Sequence, residues 1–294
     1  AFVASFDAQG GFRWAHAFGA EDSETPYGLA VDGQDRVVVA GSFMADLSIG
    51  GTLLPNAGSG DIFVAVYESD GTLAWAKAYG GPTGEVARAV AVDAQGNIFV
   101  TGGYNGTITV DEFVVGTVDD WGLTEIFVFA ADATTGEALW LSTFEGMGHD
   151  LGTAIAVSPD GEATVALSYQ NDLTIVDGQI AFDTLSSLNF NAALLRLDSA
   201  GDVLWVNDIA GQGSEEIRGV GLHEDGRIFI TGLYTDGVAM GGTPLPSKGV
   251  YDVMTAAYEA DGSHLWSNGF GGESISQALG LHVHGDGVYV TGRF

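Results

Sequence analysis

Acidic side chains recur at one fixed place in this chain. Glu24, Glu85, Asp150 and Glu215 each stand eight residues ahead of the end of an alternating apolar run, and Ser274, beside Glu273, takes that place in a fifth copy. By repeat geometry these carboxylates would surround the mouth of a central channel. Oxygen ligands in number suit a hard cation such as Ca²⁺, and the same ring would dock a basic partner. The competing expectation is structural: each carboxylate accepts backbone N–H bonds from a neighbouring copy, a strong charge-assisted pairing.

A second group is not repeated. Trp121 lies in "GTVDDWGLTE" beside Asp119 and Asp120, and a nearby connection offers Met147, His149 and Asp150. An indole flanked by carboxylates suits a sugar subsite, since the ring covers apolar C–H faces while the acids take hydroxyl bonds. The plain alternative is that Trp121 covers its own loop. A third group sits at the opposite end of the apolar runs, where Asp32, Asp93, Ser158, His223 and His282 occupy equivalent places and His284 follows. Imidazoles on adjacent copies could hold Zn²⁺. The same residue types also suit the first position of a hairpin turn.

Patterns that would name a reaction are missing. There is no GxSxG elbow, HExxH pair, P-loop or dinucleotide fingerprint, so no catalytic residue is assigned. The enzymatic alternative is a glycosidase, which needs two carboxylates about 5–10 Å apart across a sugar.

The elements that must position these groups are marked by five tryptophans. Trp14, Trp75, Trp140, Trp205 and Trp266 are separated by 61, 65, 65 and 61 residues, each in a similar phrase such as "YESDGTLAWAKAYG". A fixed long period means one supersecondary unit copied several times. Each copy carries four strand signals with Asp-Gly or Gln-Gly turns between them, as in "IFVAVYE", "TLAWAKAYG", "ARAVAVD" and "NIFVTGGY". Four antiparallel strands repeated radially is the pattern of a β-propeller blade. The expectation is an all-β, five-bladed β-propeller of four-stranded antiparallel blades in one domain, residues 1–294. Its repeat units run approximately over 1–61, 62–125, 126–190, 191–252 and 253–294. The tally of strand types predicts closure of the ring, with the N-terminal strands completing the C-terminal blade. The "AVAV" strand, rich in small residues, should be innermost, and the tryptophan strand outermost with its rings in the core.

Composition narrows the partners. The 294 residues include 39 Asp+Glu against 9 Lys+Arg, a formal net charge of −30. That field repels nucleic acid and anionic membrane, and favours cations, basic partners or solubility in salt. Cys is absent, so there is neither a disulfide framework nor thiolate chemistry. No apolar run approaches the roughly 18 residues that suggest a membrane span. The opening "AFVASFDAQG" matches the interior "IFVAVYESDG", which reads as a mature or trimmed product beginning inside a strand.

The phrases "AVDAQGNIFVTGGYNGTITV" and "VAMGGTPLPSKGVYDVMTAAYEADGSHLWSNGFGG" resemble the SBBP-type β-propeller repeats, common in surface and secreted lipoproteins of myxobacteria and related bacteria. The resemblance spans essentially the whole chain. The third copy departs most, with "TVALSY" where others read "VTGxF". What it implies is a propeller in an extracellular or cell-envelope protein, with no catalytic residues to carry over. The expected function is therefore a non-enzymatic binding module that takes a glycan or protein partner on its loop-rich face. It would act as a monomer or as part of a larger chain, without a resident cofactor unless Ca²⁺ fills the acidic ring. The alternatives are the glycosidase and a purely structural or adhesive spacer.

Overall fold

The computed structural model describes residues 1–19, 22–116, 122–171, 173–175, 180–182 and 189–294. Among these residues the chain is all-β, and no helix is long and apolar enough to cross a membrane. It divides into two compact units, residues 1–123 with 127–142, and residues 124–126 with 143–294.

In the first unit β1 (Phe2–Phe6) and β2 (Phe12–Ala17) form an antiparallel pair. Strands β3 (Glu24–Val31), β4 (Val37–Phe43), β5 (Asp61–Tyr67) and β6 (Leu73–Tyr79) make a four-stranded antiparallel sheet in chain order. The next sheet begins with β7 (Glu85–Val92) and β8 (Ile98–Tyr104). It continues through β9 (Glu125–Ala131) and β10 (Ala138–Gly146), of which residues 127–131 and 138–142 belong to this unit.

The second unit repeats the plan. One sheet runs β11 (Leu151–Val157), β12 (Ala163–Gln170), β13 (Phe190–Leu197), β14 (Val203–Gly211). The next runs β15 (Glu215–Leu222), β16 (Ile228–Tyr234), β17 (Asp252–Tyr258), β18 (His264–Phe270). Finally β19 (Gln277–His284) and β20 (Gly287–Arg293) form a two-stranded sheet. These meanders are the sheets that the repeated phrase predicts.

The second and third strands of each four-stranded sheet read as largely apolar runs because both of their faces are covered. In β4 and β5, Val37, Val39, Phe63, Ala65 and Tyr67 enter one core, while Val38, Ala40, Ile62, Val64 and Val66 enter another. Alternation of side chains across a strand feeds both cores at once.

The "VTG" glycine has a steric cause. The first strand of every sheet carries a bulge at one place, between Pro26 and Gly28, Ala87 and Ala89, Gly152 and Ala154, Ile217 and Gly219, and Ala278 and Gly280. A Cβ on Gly41, Gly102, Gly232 or Gly292 would run into the carbonyl oxygen of Thr25, Val86, Glu216 or Gln277, respectively. In the divergent third copy the glycine has changed strands. Leu167 stands where the others have glycine, and its register partner is Gly152.

Trp75, Trp140, Trp205 and Trp266 lie on the fourth strands of their sheets, and Trp14 on β2 of the two-stranded N-terminal sheet. Trp14 and Trp140 are buried, and Trp75 and Trp205 are half-buried. Trp266 departs from the expected core position, being 38% exposed. It lines an apolar groove of about 860 Å³ with Val253, Phe270, Ile275, Val290 and Phe294.

Candidate functional site

The repeated carboxylates stand where a first strand begins, beside the start of the preceding sheet's third strand. In the first unit that juxtaposition is Glu85 with Asp61, each 1% exposed. The Glu85 N–H donates to the Gly60 carbonyl at 2.9 Å, which fixes the approach. Asp61 Oδ2 accepts the N–H of Ala57 at 2.5 Å, and Glu85 Oε2 accepts that of Gly81 at 3.0 Å. Asp61 Oδ1 and Glu85 Oε1 have no hydrogen-bond partner.

A glycine makes room for both acids. A Cβ on Gly80 would strike Asp61 Oδ1 and lie 2.8 Å from Glu85 Oε2. That is the physical content of the "YGG" and "FGG" ends of the tryptophan strands. Gly271 shelters Asp252 Oδ1 in the same way, and a Cβ on Gly211 would come within 2.6 Å of Glu215 Oε1.

In the second unit Asp150 and Glu215 are fully buried. Asp150 Oδ1 accepts the Gln170 N–H at 2.9 Å, and its N–H donates to Thr124 O at 2.7 Å. Glu125 Oε2 accepts the Gly146 N–H at 2.8 Å. Asp252 Oδ2 accepts Lys248 N–H at 2.5 Å and the Ser247 hydroxyl at 3.1 Å, leaving Oδ1 unpartnered. Burial dominates the electrostatics of these groups, because it disfavours the charged form. Burial raises Glu85, Asp150 and Glu215 to about 8, against the pull of one backbone N–H each. Glu125 rises to about 7 by burial, and Asp61 is raised for the same reason. Glu24 is less enclosed, and its Oε1 lies 3.0 Å from the Ala1 ammonium.

These positions are closed to solvent, and among the described residues no three His, Cys, Asp or Glu side chains are grouped to hold a metal. Two register corrections follow. Ser276 stands just before the fifth first strand, and its N–H donates to Tyr251 O as Glu85 donates to Gly60 O, so Ser276, not Ser274, is the equivalent of Glu85. Likewise His284, not His282, is the equivalent of Asp32. Strand pairing sets this register, in which the β19–β20 hairpin is also a residue shorter: Val283 pairs with Val288, whereas Val31 pairs with Val37.

The opposite end of the first strands is built of turns. Asp32 Oδ1 accepts the N–H groups of Gln34 and Arg36, Asp93 Oδ1 those of Gln95 and Asn97, and Ser158 Oγ that of Glu162. His223 Nδ1 lies 2.7 Å from Asp225 Oδ1. His282 and His284 stack at 6.3 Å.

Of the non-repeated group, Trp121, Asp119 and Asp120 lie outside the described residues. Beyond them, Asn105 Nδ2 donates to Leu123 O at 2.7 Å and ties down the far end of that connection. His149 is exposed, with Nδ1 3.3 Å from Thr124 Oγ1, and Met147 is 71% exposed. Asp150 does not join them at the surface. Its buried carboxyl points into the strand entrance, which corrects its place in an exposed contact patch.

Sequence reading missed the partners on the third strands: Asp61, Glu125, Asn191 and Asp252, all buried. The signal was present. A polar residue opens each otherwise apolar third strand, in "DIFVAVY", "EIFVFAA", "NAALLRL" and "DVMTAAY".

No family model matches the chain, SBBP-type repeats included. Among curated proteins it is similar to an uncharacterized WD repeat-containing protein of Acanthamoeba polyphaga mimivirus, at 24% identity over 367 aligned positions. That match takes in 100% of this chain and 26% of the relative, so the chain spans about a quarter of that protein's length. Among solved structures it is similar to the quinohemoprotein alcohol dehydrogenase of Comamonas testosteroni. The TM-score is 0.45 at 14% identity, covering 98% of this chain and 59% of that one. It is also similar to the Dos1 propeller, with a TM-score of 0.34 at 11% identity, covering 92% and 93%. What the chain's own geometry establishes is an all-β repeat protein of four-stranded antiparallel sheets with buried acids at their strand entrances.

Proposed function

We propose that this chain is a non-enzymatic interaction module, exported or held at the cell surface, which takes a glycan or protein partner on the connections between sheets. The observation that carries the reading is the fate of the acids. Glu85 and Asp150 are buried and accept backbone N–H bonds, and Glu215 is buried with both carboxyl oxygens closed off from solvent. A glycosidase instead needs two carboxyls open to a sugar. What is left for recognition is the non-repeated part of the surface, where loops on a rigid frame usually carry function.

The contacts proposed are Trp121 with Asp119 and Asp120 from one connection, and His149 with Met147 from another. A basic protein partner or a glycan fits this chemistry, given the formal charge of −30. The SBBP-like phrases support an envelope or extracellular setting. The test is a glycan array and a pull-down against basic proteins, run on wild type, Trp121→Ala and His149→Ala with melting curves for each. Loss of binding at unchanged melting supports the reading; hydrolysis of a glycan, or binding that survives both changes, defeats it.

For the architecture, we propose that the sheets are the blades of one five-bladed ring, with β1 and β2 completing the sheet begun by β19 and β20. Each of the four strand types occurs five times among the named strands. The register of the complete sheets, in which Val39 faces Ala65, sets Val290 opposite Ala4. The turn Asp7–Gly10 would then meet Trp266, in the place that Ser69 takes for Trp14.

A further inference from the structure

We propose that Asp61 and Glu85 share a single proton at neutral pH, so that the entrance between β5 and β7 is closed by an acid–carboxylate hydrogen bond that opens when the proton leaves.

The argument begins with what surrounds the pair. Both side chains are 1% exposed, and each has one oxygen already taken by a backbone N–H. Their other oxygens, Asp61 Oδ1 and Glu85 Oε1, meet no donor. Two ionised carboxylates held together out of water would repel each other with nothing to compensate, and a buried charge left unpaired is strongly unfavourable.

The neighbours supply no counter-charge. From the 80–83 segment come the Gly81 N–H and the Thr83 hydroxyl, and Thr83 gives its hydrogen to Asn105 O. From the 57–58 segment come backbone N–H groups. Asp61 is the charged group that bears on Glu85, and no ion pair among the described residues involves either acid. Lys77, the cation on β6, is engaged by Asp111 at 2.6 Å. A proton held between the two carboxyls satisfies one empty oxygen and removes one charge. Like-charge carboxyl pairs behave this way, one acid holding its proton well above its ordinary range.

Two of the equivalent positions elsewhere follow the same rule without needing titration, Asn191 with Glu215 and Asp252 with Ser276, whereas Glu125 with Asp150 is a second pair of buried acids in which the Glu125 charge adds to burial in raising Asp150. An amide and an acid, or an acid and a hydroxyl, bring one donor and one acceptor to the entrance. Asp61 with Glu85 keeps that balance only if one of them is neutral.

The experiment uses the whole chain as wild type, Glu85→Gln and Asp61→Asn. Infrared difference spectra at neutral pH should show a protonated-carboxyl C=O band in wild type that loses one group's intensity in each variant. In the first the acid is gone; in the second Glu85 faces an amide and ionises. Melting temperature followed from weakly acid to alkaline pH should fall more steeply in wild type than in Glu85→Gln. Equal slopes, or spectra identical in all three proteins, would overturn the proposal. So would stabilisation of wild type, but not of Glu85→Gln, by added Ca²⁺ and its reversal by a chelator, because a metal and not a proton would then join the pair. If Glu85→Gln fails to fold, the wild-type spectrum against Asp61→Asn decides alone.

Discussion

The indole N–H of Trp75 donates to the carbonyl oxygen of Ala133 at 2.8 Å, 58 residues further along the chain. Trp14 reaches Ser69 O and Trp205 reaches Ala260 O in the same manner, both at 3.1 Å and both 55 residues ahead. The tryptophan of one repeat therefore docks on the hairpin turn of the next. The turn's glycine lies under the ring: a Cβ on Gly136 would come within 3.0 Å of Trp75, and one on Gly262 within 3.0 Å of Trp205. A ring and its seat stand 55 to 58 residues apart, a little less than the 61 to 65 residues of the period.

Trp75→Ala should destabilise the fold by about 3–5 kcal/mol, the usual cost of removing a large packed ring. Trp75→Phe keeps most of the ring and deletes the bond to Ala133, and should cost about 1 kcal/mol. Trp266→Ala should cost as much as Trp75→Ala in the proposed closed ring, where the Asp7–Gly10 turn covers it, and less if Trp266 keeps the 38% exposure of the open seam. Denaturant titration of the three variants checks the order.

Gly71 and Gly10 have similar left-handed backbones, with φ of +89° and +81°. A Cβ on Gly71 would lie 2.6 Å from Trp14 Cγ, whereas one on Gly10 would meet nothing within 4 Å. Both alanine substitutions pay the left-handed penalty of about 1–2 kcal/mol. Gly71→Ala should cost about 1–3 kcal/mol more for the displaced ring. Gly10→Ala should approach the same loss in the proposed closed ring, where Gly10 would take under Trp266 the place of Gly71 under Trp14. A Gly71→Ala loss no larger than the left-handed penalty would show that the turn, not the docking, demands the glycine.

Stability should fall as pH rises from about 4.5 to about 8. Glu215 and Asp150 rise to about 8 in the folded protein through burial, and Glu125 to about 7. Their unfolded values lie near the ordinary carboxylate range of about 4. Between the two limits the folded state binds more protons, so stability present below the lower limit is lost as pH passes the upper one. Asp132 works in the opposite sense. Backbone N–H groups of Thr135 and Thr134 hold it below its ordinary value, so its contribution is lost as pH falls below that range. Melting curves should peak at weakly acid pH, and Glu215→Gln should flatten the alkaline decline.

Ala4→Cys with Val290→Cys tests the ring. Strand partners sit at disulfide distance, so a closed ring should yield a monomeric, oxidised product under mild oxidation. Free thiols, or a product linked between molecules, would exclude closure by β1 and β2.

The strands were legible because their punctuation is. Asp-Gly turns and alternating apolar residues mark the named strands, and the third copy's missing glycine is explained by Gly152 facing Leu167. That exchange could not be seen without the register, which depends on the bulge. The acids were legible as a set but not in their surroundings: Glu85 was visible as a repeated carboxylate, whereas its partner Asp61 heads an apolar strand and reads as a boundary. The fifth copy's place, Ser276 and not Ser274, is set by strand pairing and by the Ser276 N–H bond to Tyr251 O, neither of which the spacing alone reveals. The non-repeated cluster fared least well, since Asp150 shares a sequence neighbourhood with His149 but turns to the opposite side of the backbone, into the core.

The repeats of Trp14, Trp75 and Trp205 thus each carry a ring for the turn ahead. A copy inserted in phase brings both halves of the fastening, whereas one cut out of phase spoils two junctions at once. The unit of inheritance need not coincide with the four-stranded sheet. The phrase that repeats in the sequence straddles two sheets, as a brick's bond straddles the joint below it.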